Sequence, residues 1–135
     1  MNISQAARAS GLPAKTLRYY EDIGLVRPRR RDNGYRVYGP QEVARLRFLQ
    51  RARALGFSID DCRMLASLQE DHGRRSAEVR AIAEHHVEEI DRRIEHLREM
   101  RRELNELIAA CPGNEQQDCA ILDRLAGAEQ LQSAL

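Results

Sequence analysis

The sequence predicts a mainly α-helical fold in which a winged helix-turn-helix domain leads into a long dimerisation helix and then a C-terminal loop with a short helix. Three observations carry that expectation. Apolar residues recur at helical spacing along most of the chain, and one short basic hairpin interrupts them at Arg27 to Tyr38. Charge divides the chain: residues 1–54 carry 12 basic and 4 acidic side chains, residues 55–135 carry 10 and 17, and the overall charge is only +1. Two cysteines bracket a Pro-Gly turn near the end. The predicted boundaries are 1–70 for the winged domain with its second helix pair, 76–110 for the dimerisation helix, 111–127 for the loop and short helix, and 128–135 for a tail.

Ser4 to Ala9 has the composition of a short helix that stops at Ser10-Gly11, and Pro13 suits the first turn of a second helix running to about Asp22. Lys15, Thr16, Arg18, Tyr19 and Tyr20 load this second helix with groups that donate to phosphates or reach base edges, as a recognition helix in a major groove must. A basic amphipathic surface helix accounts for the same residues. The neighbouring segment separates the two readings. RPRRRDNGYRVY, Arg27 to Tyr38, reads as a hairpin with Asn33-Gly34 as a two-residue turn, and a basic hairpin beside a helix-turn-helix makes a wing. Arg29, Arg30, Arg31 and Arg36 are placed against the backbone of double-stranded DNA. Tyr35 and Tyr38 each admit two roles, a phosphate hydrogen bond or a place in the core.

Val43, Leu46, Phe48, Leu49 and Leu55 follow helical spacing to Gly56, and Ser58-Ile-Asp-Asp61 opens the next helix as a capping box. Cys62 on that helix reads as a small buried hydrophobe. The long helix carries Val79, Ala83, Val87, Ile90, Ile94, Leu97, Met100, Leu104, Leu107 and Ile108 at steps of three and four, with no Gly or Pro. Thirty such residues span roughly 45 Å at 1.5 Å each, against a radius of gyration of about 14 Å for a compact chain of this length. A stripe that long needs a partner. A coiled coil with a second copy, through Val87, Ile90, Ile94, Leu97, Met100, Leu104, Leu107 and Ile108, is expected over folding back onto the N-terminal domain.

The helix stops at Cys111-Pro112-Gly113, and CPGNEQQDC closes at Cys119 before a short amphipathic helix. No histidine lies in this loop, so a four-coordinate Cys and His zinc site is not available in one chain. Two thiolates suit a soft monovalent ion, because Cu(I), Ag(I) and Au(I) favour sulfur and tolerate low coordination numbers. One such ion per chain leaves the site at a net charge near −1, which a helix N-terminus at Cys119 helps to stabilise. A redox disulfide between Cys111 and Cys119 and two incidental thiols are the alternatives at this point, and a metal carrier or buffer is a third reading that has no use for the arginine wing.

LRYYEDIGLVRP at Leu17 to Pro28, NGYRVY at Asn33 to Tyr38 and RLRFLQRARALGFSIDD at Arg45 to Asp61 together resemble the MerR family of transcriptional regulators, over nearly the whole chain. CPGNEQQDCAIL is similar to the loop of the family's copper-efflux branch, where the two cysteines bind Cu(I). Ser76 looks like the serine that this branch carries where the zinc and mercury sensors have a ligating cysteine, a metal-selectivity position. The resemblance implies an antiparallel coiled-coil homodimer and activation of copper-efflux and detoxification promoters by distorting DNA so that RNA polymerase holoenzyme engages them. It also implies a cytoplasmic protein. The composition agrees, with neither a secretory leader at the start nor a stretch long enough for a membrane span. No enzyme is expected, since His72, His85, His86 and His96 sit in no nucleophile-and-base frame.

Overall fold

The computed structural model describes residues 1–71, 76–111, 113 and 119–127. The tail expected at 128–135 lies outside them, as does His72. The elements are α1 (Ile3–Ser10), α2 (Ala14–Asp22), β1 (Arg29–Arg30), β2 (Arg36–Val37), α3 (Pro40–Ala54), α4 (Ile59–Glu70), α5 (Ser76–Ala110) and α6 (Ala120–Ala126). They fall into two compact units, Met1–Glu84 and His85–Leu135.

In the first unit, local chemistry sets each helix end. The Asn2 side chain accepts from Gln5 N at 2.8 Å while the Gln5 side chain accepts from Asn2 N at 2.9 Å, a reciprocal box that starts α1. Gly11, left-handed at φ 77°, ends α1, and Pro13 precedes the first residue of α2. Pro40 occupies the first turn of α3, where its missing N–H costs no hydrogen bond. Ser58 Oγ accepts from Asp61 N at 3.1 Å and caps α4.

The core gathers one face of each helix. Ala6, Leu17, Tyr20, Leu25, Val26, Tyr38, Val43, Leu46, Leu49, Ala52 and Cys62 form one buried cluster, with Phe48, Phe57 and Ile59 packed at its margin. Cys62 is fully buried as the sequence reading had it, its thiol 3.8 Å from Phe57 O. Burial pushes that thiol above its ordinary range, which makes it chemically inert.

The hairpin differs from the expected two-residue turn. Arg29 pairs with Val37 and Arg30 with Arg36. Arg31 N donates to Tyr35 O at 2.9 Å and Gly34 N to Arg31 O at 2.8 Å, so Asp32, Asn33 and Gly34 all lie in the loop. A two-residue type I′ turn requires positive φ at both central residues, whereas Gly34 (φ 85°) alone takes it here, and no described non-glycine residue does. The result is a three-residue loop with the glycine in the left-handed position.

α5 is a single helix of 35 residues. In the second unit Val87, Ile90, Ile94, Leu97, Met100, Leu104 and Ile108 are 39–58% exposed, so much of their apolar surface has no cover among the described residues. Leu107 stands apart: it is half-buried and lines a hollow with Glu103 and Arg124. Arg124 bridges Glu103 at 2.9 Å and ties α6 to α5. No helix among the described residues is long and apolar enough to cross a membrane.

Candidate nucleic-acid interface and thiol pair

Helical periodicity sorts the residues of α2. Leu17 and Tyr20, three apart, turn into the core, and Lys15, Arg18 and Tyr19 turn outward, with Thr16 between the two faces. Tyr20 is therefore corrected: at 4% exposure its ring is core, not an open donor to DNA. Burial raises its phenol, against the lowering effect of Arg53.

The two wing tyrosines separate in the same way. They flank the two residues of β2, three positions apart, and its alternation sends them to opposite sides. Tyr35 is 72% exposed, while Tyr38 is 1% exposed and its hydroxyl has no hydrogen-bond partner among the described residues. Tyr38 is thus the second correction, a core residue whose hydroxyl reaches no phosphate, and burial raises its pKa as well.

Arg29, Arg30 and Arg31 are exposed and Arg36 is half-buried. Arg29 and Arg31 have no side-chain partner among the described residues, whereas Arg30 and Arg36 both pair with Glu21 at the end of α2. Sequence reasoning passed over Glu21, although an acidic side chain inside an otherwise basic motif was the available signal. It also gave no role to the arginines of α3, Arg45, Arg47, Arg51 and Arg53. Several serve the fold: Arg47 Nε donates to Ala9 O at 3.0 Å, Arg45 Nε to Leu25 O at 3.2 Å, and Arg53 to Phe57 O at 2.6 Å. Ala9 O belongs to the last turn of α1, where carbonyls lack a helical partner, while Leu25 O and Phe57 O lie in the links that follow α2 and α3.

In the second unit, Cys111 follows the last residue of α5 and Cys119 is the N-cap of α6. Their Sγ atoms lie 3.6 Å apart, both side chains are half-buried, and both thiols are free. The backbone N–H of Leu122, the Cys111 thiol and the N–H of Ile121 hold the Cys119 thiol below its ordinary range, against the Asp123 charge. The Cys119 sulfur makes no cap hydrogen bond to the helix, so the effect is the nearby partial positive charge of the first N–H groups of α6 together with the Cys111 thiol.

The pair can serve one ion. Its separation exceeds the ~2.05 Å of a disulfide and falls short of two metal–sulfur bonds of about 2.3 Å set in line. From 3.6 Å, a linearly held ion requires the sulfurs to part by about 1 Å, and a disulfide requires them to close by about 1.5 Å. Among the described residues no group of three His, Cys, Asp or Glu side chains is placed to hold a metal, so the described donor set is two thiols. That set fits a soft ion of low coordination number. Ser76 opens α5, exposed, in the other unit.

The family description "MerR HTH family regulatory protein" matches residues 1–69, and "MerR, DNA binding" matches residues 43–107. The chain is 56% identical over 126 residues to the HTH-type transcriptional regulator HmrR of Rhizobium leguminosarum bv. viciae, covering 93% of this chain and 98% of that one. It is 43% identical over 128 residues to the HTH-type transcriptional regulator CueR of Escherichia coli O157:H7, covering 94% and 95%. Its fold is similar to that of the transcription regulator PbrR691 from Ralstonia metallidurans CH34 in complex with lead(II), with a TM-score of 0.79, 30% identity, and 93% and 98% coverage. With a helix-turn-helix, a wing and a long helix in this order, the chain belongs to the MerR family of DNA-binding transcriptional regulators and is not an enzyme.

Proposed function

We propose that this chain is a metal-responsive regulator that binds Cu(I), or Ag(I) or Au(I), at Cys111 and Cys119, one ion per chain, and activates copper-efflux and detoxification promoters. The observation that carries the reading is the thiol pair, 3.6 Å apart with no third described ligand. Two thiolates and one monovalent ion leave about one negative charge, which the first N–H groups of α6 are placed to stabilise, whereas a divalent ion lacks ligands. Ser76 keeps the third thiolate away in this proposal, and the protein works in the cytoplasm, where its DNA is.

The active species is a homodimer. The exposed stripe from Val87 to Ile108 is covered in an antiparallel coiled coil, since apolar burial at roughly 1–3 kcal/mol per side chain rewards pairing. Lys15, Thr16, Arg18 and Tyr19 then read a promoter while Arg29, Arg30, Arg31, Tyr35 and Arg36 grip its backbone. Bending and untwisting that promoter, at about 1–10 kcal/mol, lets RNA polymerase holoenzyme engage both of its elements. Exposed Leu122 and Leu125 on α6, with Ile121, supply the apolar face through which a metal-closed loop moves the DNA-binding units.

A second reading, a disulfide switch between Cys111 and Cys119, draws on the same proximity. Anaerobic titration of the reduced dimer with Cu(I), Zn(II) and Pb(II) against a competing chelator, beside Cys111→Ser, tests the choice. Tight Cu(I) binding at one ion per chain, lost in the serine variant and unmatched by Zn(II) or Pb(II), supports the proposal. Weak or cysteine-independent Cu(I) binding overturns it in favour of the redox switch, and tighter Pb(II) binding changes the metal.

A further inference from the structure

Arg30 and Arg36 are cross-strand partners in the hairpin, two like charges directly opposite each other on a two-stranded ribbon. Such a pair repels and splays a ribbon unless something lies between its members. Glu21, at the end of α2, takes that place. Its Oε1 accepts from Arg30 at 2.6 Å and its Oε2 accepts from Arg36 Nε, so one carboxylate holds both strands. Arg30 also donates to Gly34 O at 2.9 Å, which extends the clasp to the tip of the loop. The Glu21 side chain is only 16% exposed, sheltered between the helix and the hairpin. A two-stranded ribbon of this length is marginal by itself, so its orientation depends on what it is fastened to.

We propose that Glu21 is a positioning residue: by clasping Arg30 and Arg36 it locks the wing to the recognition helix, so that helix and wing meet a duplex as one rigid reader. The inference rests on the reading that α2 and the wing face DNA. The clasp divides the labour of the wing. Arg29 and Arg31 keep their full charge for phosphates, while Arg30 and Arg36 present only the guanidinium N–H groups that Glu21 leaves over.

The sign of one substitution separates this role from a purely electrostatic one. A carboxylate near phosphates repels them, so Glu21→Gln acting through charge alone tightens binding to every duplex. Loss of a positioning contact instead weakens the sequence-specific complex, whose contacts depend on register, and spares non-specific binding.

The test uses the full-length dimer, the duplex that the wild-type chain selects from a random library, and a scrambled duplex of equal length, compared by fluorescence anisotropy. Glu21→Gln is expected to lower the selected-to-scrambled affinity ratio about tenfold or more, with scrambled binding unchanged or tighter. An unchanged or larger ratio overturns the inference. If the wild type selects no duplex, the DNA reading itself fails and the inference falls with it. Should the variant not fold, the Arg36 Nε–H resonance of the wild type decides. A protected signal that persists when the selected duplex is added supports the clasp, and its loss to exchange on binding overturns it.

Discussion

The Sγ atoms of Cys111 and Cys119 approach to 3.6 Å although eight positions separate them in the chain, because one ends α5 and the other caps α6. Cys62, fully buried, shares none of that environment. Limited iodoacetamide at neutral pH is expected to modify Cys119 first and Cys62 last. The Cys119 rate falls only as pH drops below its depressed folded value, beneath the ordinary thiol value of about 8.5. Peptide mass spectrometry at graded reaction times measures the order, and early labelling of Cys62 in folded protein contradicts it.

Tyr38→Phe removes a buried hydroxyl that has no partner among the described residues. The expected change in stability lies between neutral and about 1 kcal/mol stabilising, since no hydrogen bond is lost. Duplex affinity stays unchanged. Urea melts and DNA titration on the same variant check both parts, and a large affinity loss restores Tyr38 to the interface.

Burial tends to raise the Glu21 carboxyl, but hydrogen bonds from Arg36 and Arg30 and their charges outweigh it and leave the folded value below the ordinary one. Glu21 therefore contributes stability that is present above its unfolded value of about 4.3 and is lost as pH falls through the lower folded value. Glu21→Gln should flatten the acid limb of the stability curve in that window. Denaturant midpoints at stepped pH record it, and parallel acid limbs for wild type and variant refute the linkage.

Leu46 and Leu49 are fully buried in the cluster that α1, α3 and α4 share. Truncating either to Ala is expected to cost about 2–5 kcal/mol, the sum of lost transfer energy and the cavity left behind. Chemical denaturation gives the figure directly, and a loss below 1 kcal/mol means the neighbouring helices collapse into the space.

Arg31→Ala and Arg47→Ala should differ in kind. Arg31 is exposed with no side-chain partner among the described residues, so its loss lowers the slope of log affinity against log salt by about 0.9 and leaves stability alone. Arg47 donates to Ala9 O, and its loss lowers stability by about 1 kcal/mol with the salt slope intact. Measuring both quantities on both variants exposes an exchange of roles.

Elements governed by local rules were legible in the amino-acid order. Gly11, Pro13 and Ser58 mark helix ends in the structure as their places in the sequence indicated, because caps and turns depend on neighbours a few positions away; Asn2 and Pro40 follow the same rule but were passed over. The unbroken run from Ser76 to Ala110 gave the long helix for the same reason, and the two cysteines flanking a Pro-Gly turn pointed to a shared site. Tertiary structure alone decided how each side chain is used. Tyr35 and Tyr38 have the same side chain at the two ends of β2, yet one is in solvent and the other in the core, because the pleat assigns faces only once the hairpin is docked. Arg31 and Arg47 carry equal charge, but a carbonyl at the end of α1 occupies only the second. Glu21 meets Arg30 and Arg36 across the α2 and hairpin junction, 9 and 15 positions along the chain. Composition counts charges, whereas the distances that pair them arise only when the backbone has brought separate segments together.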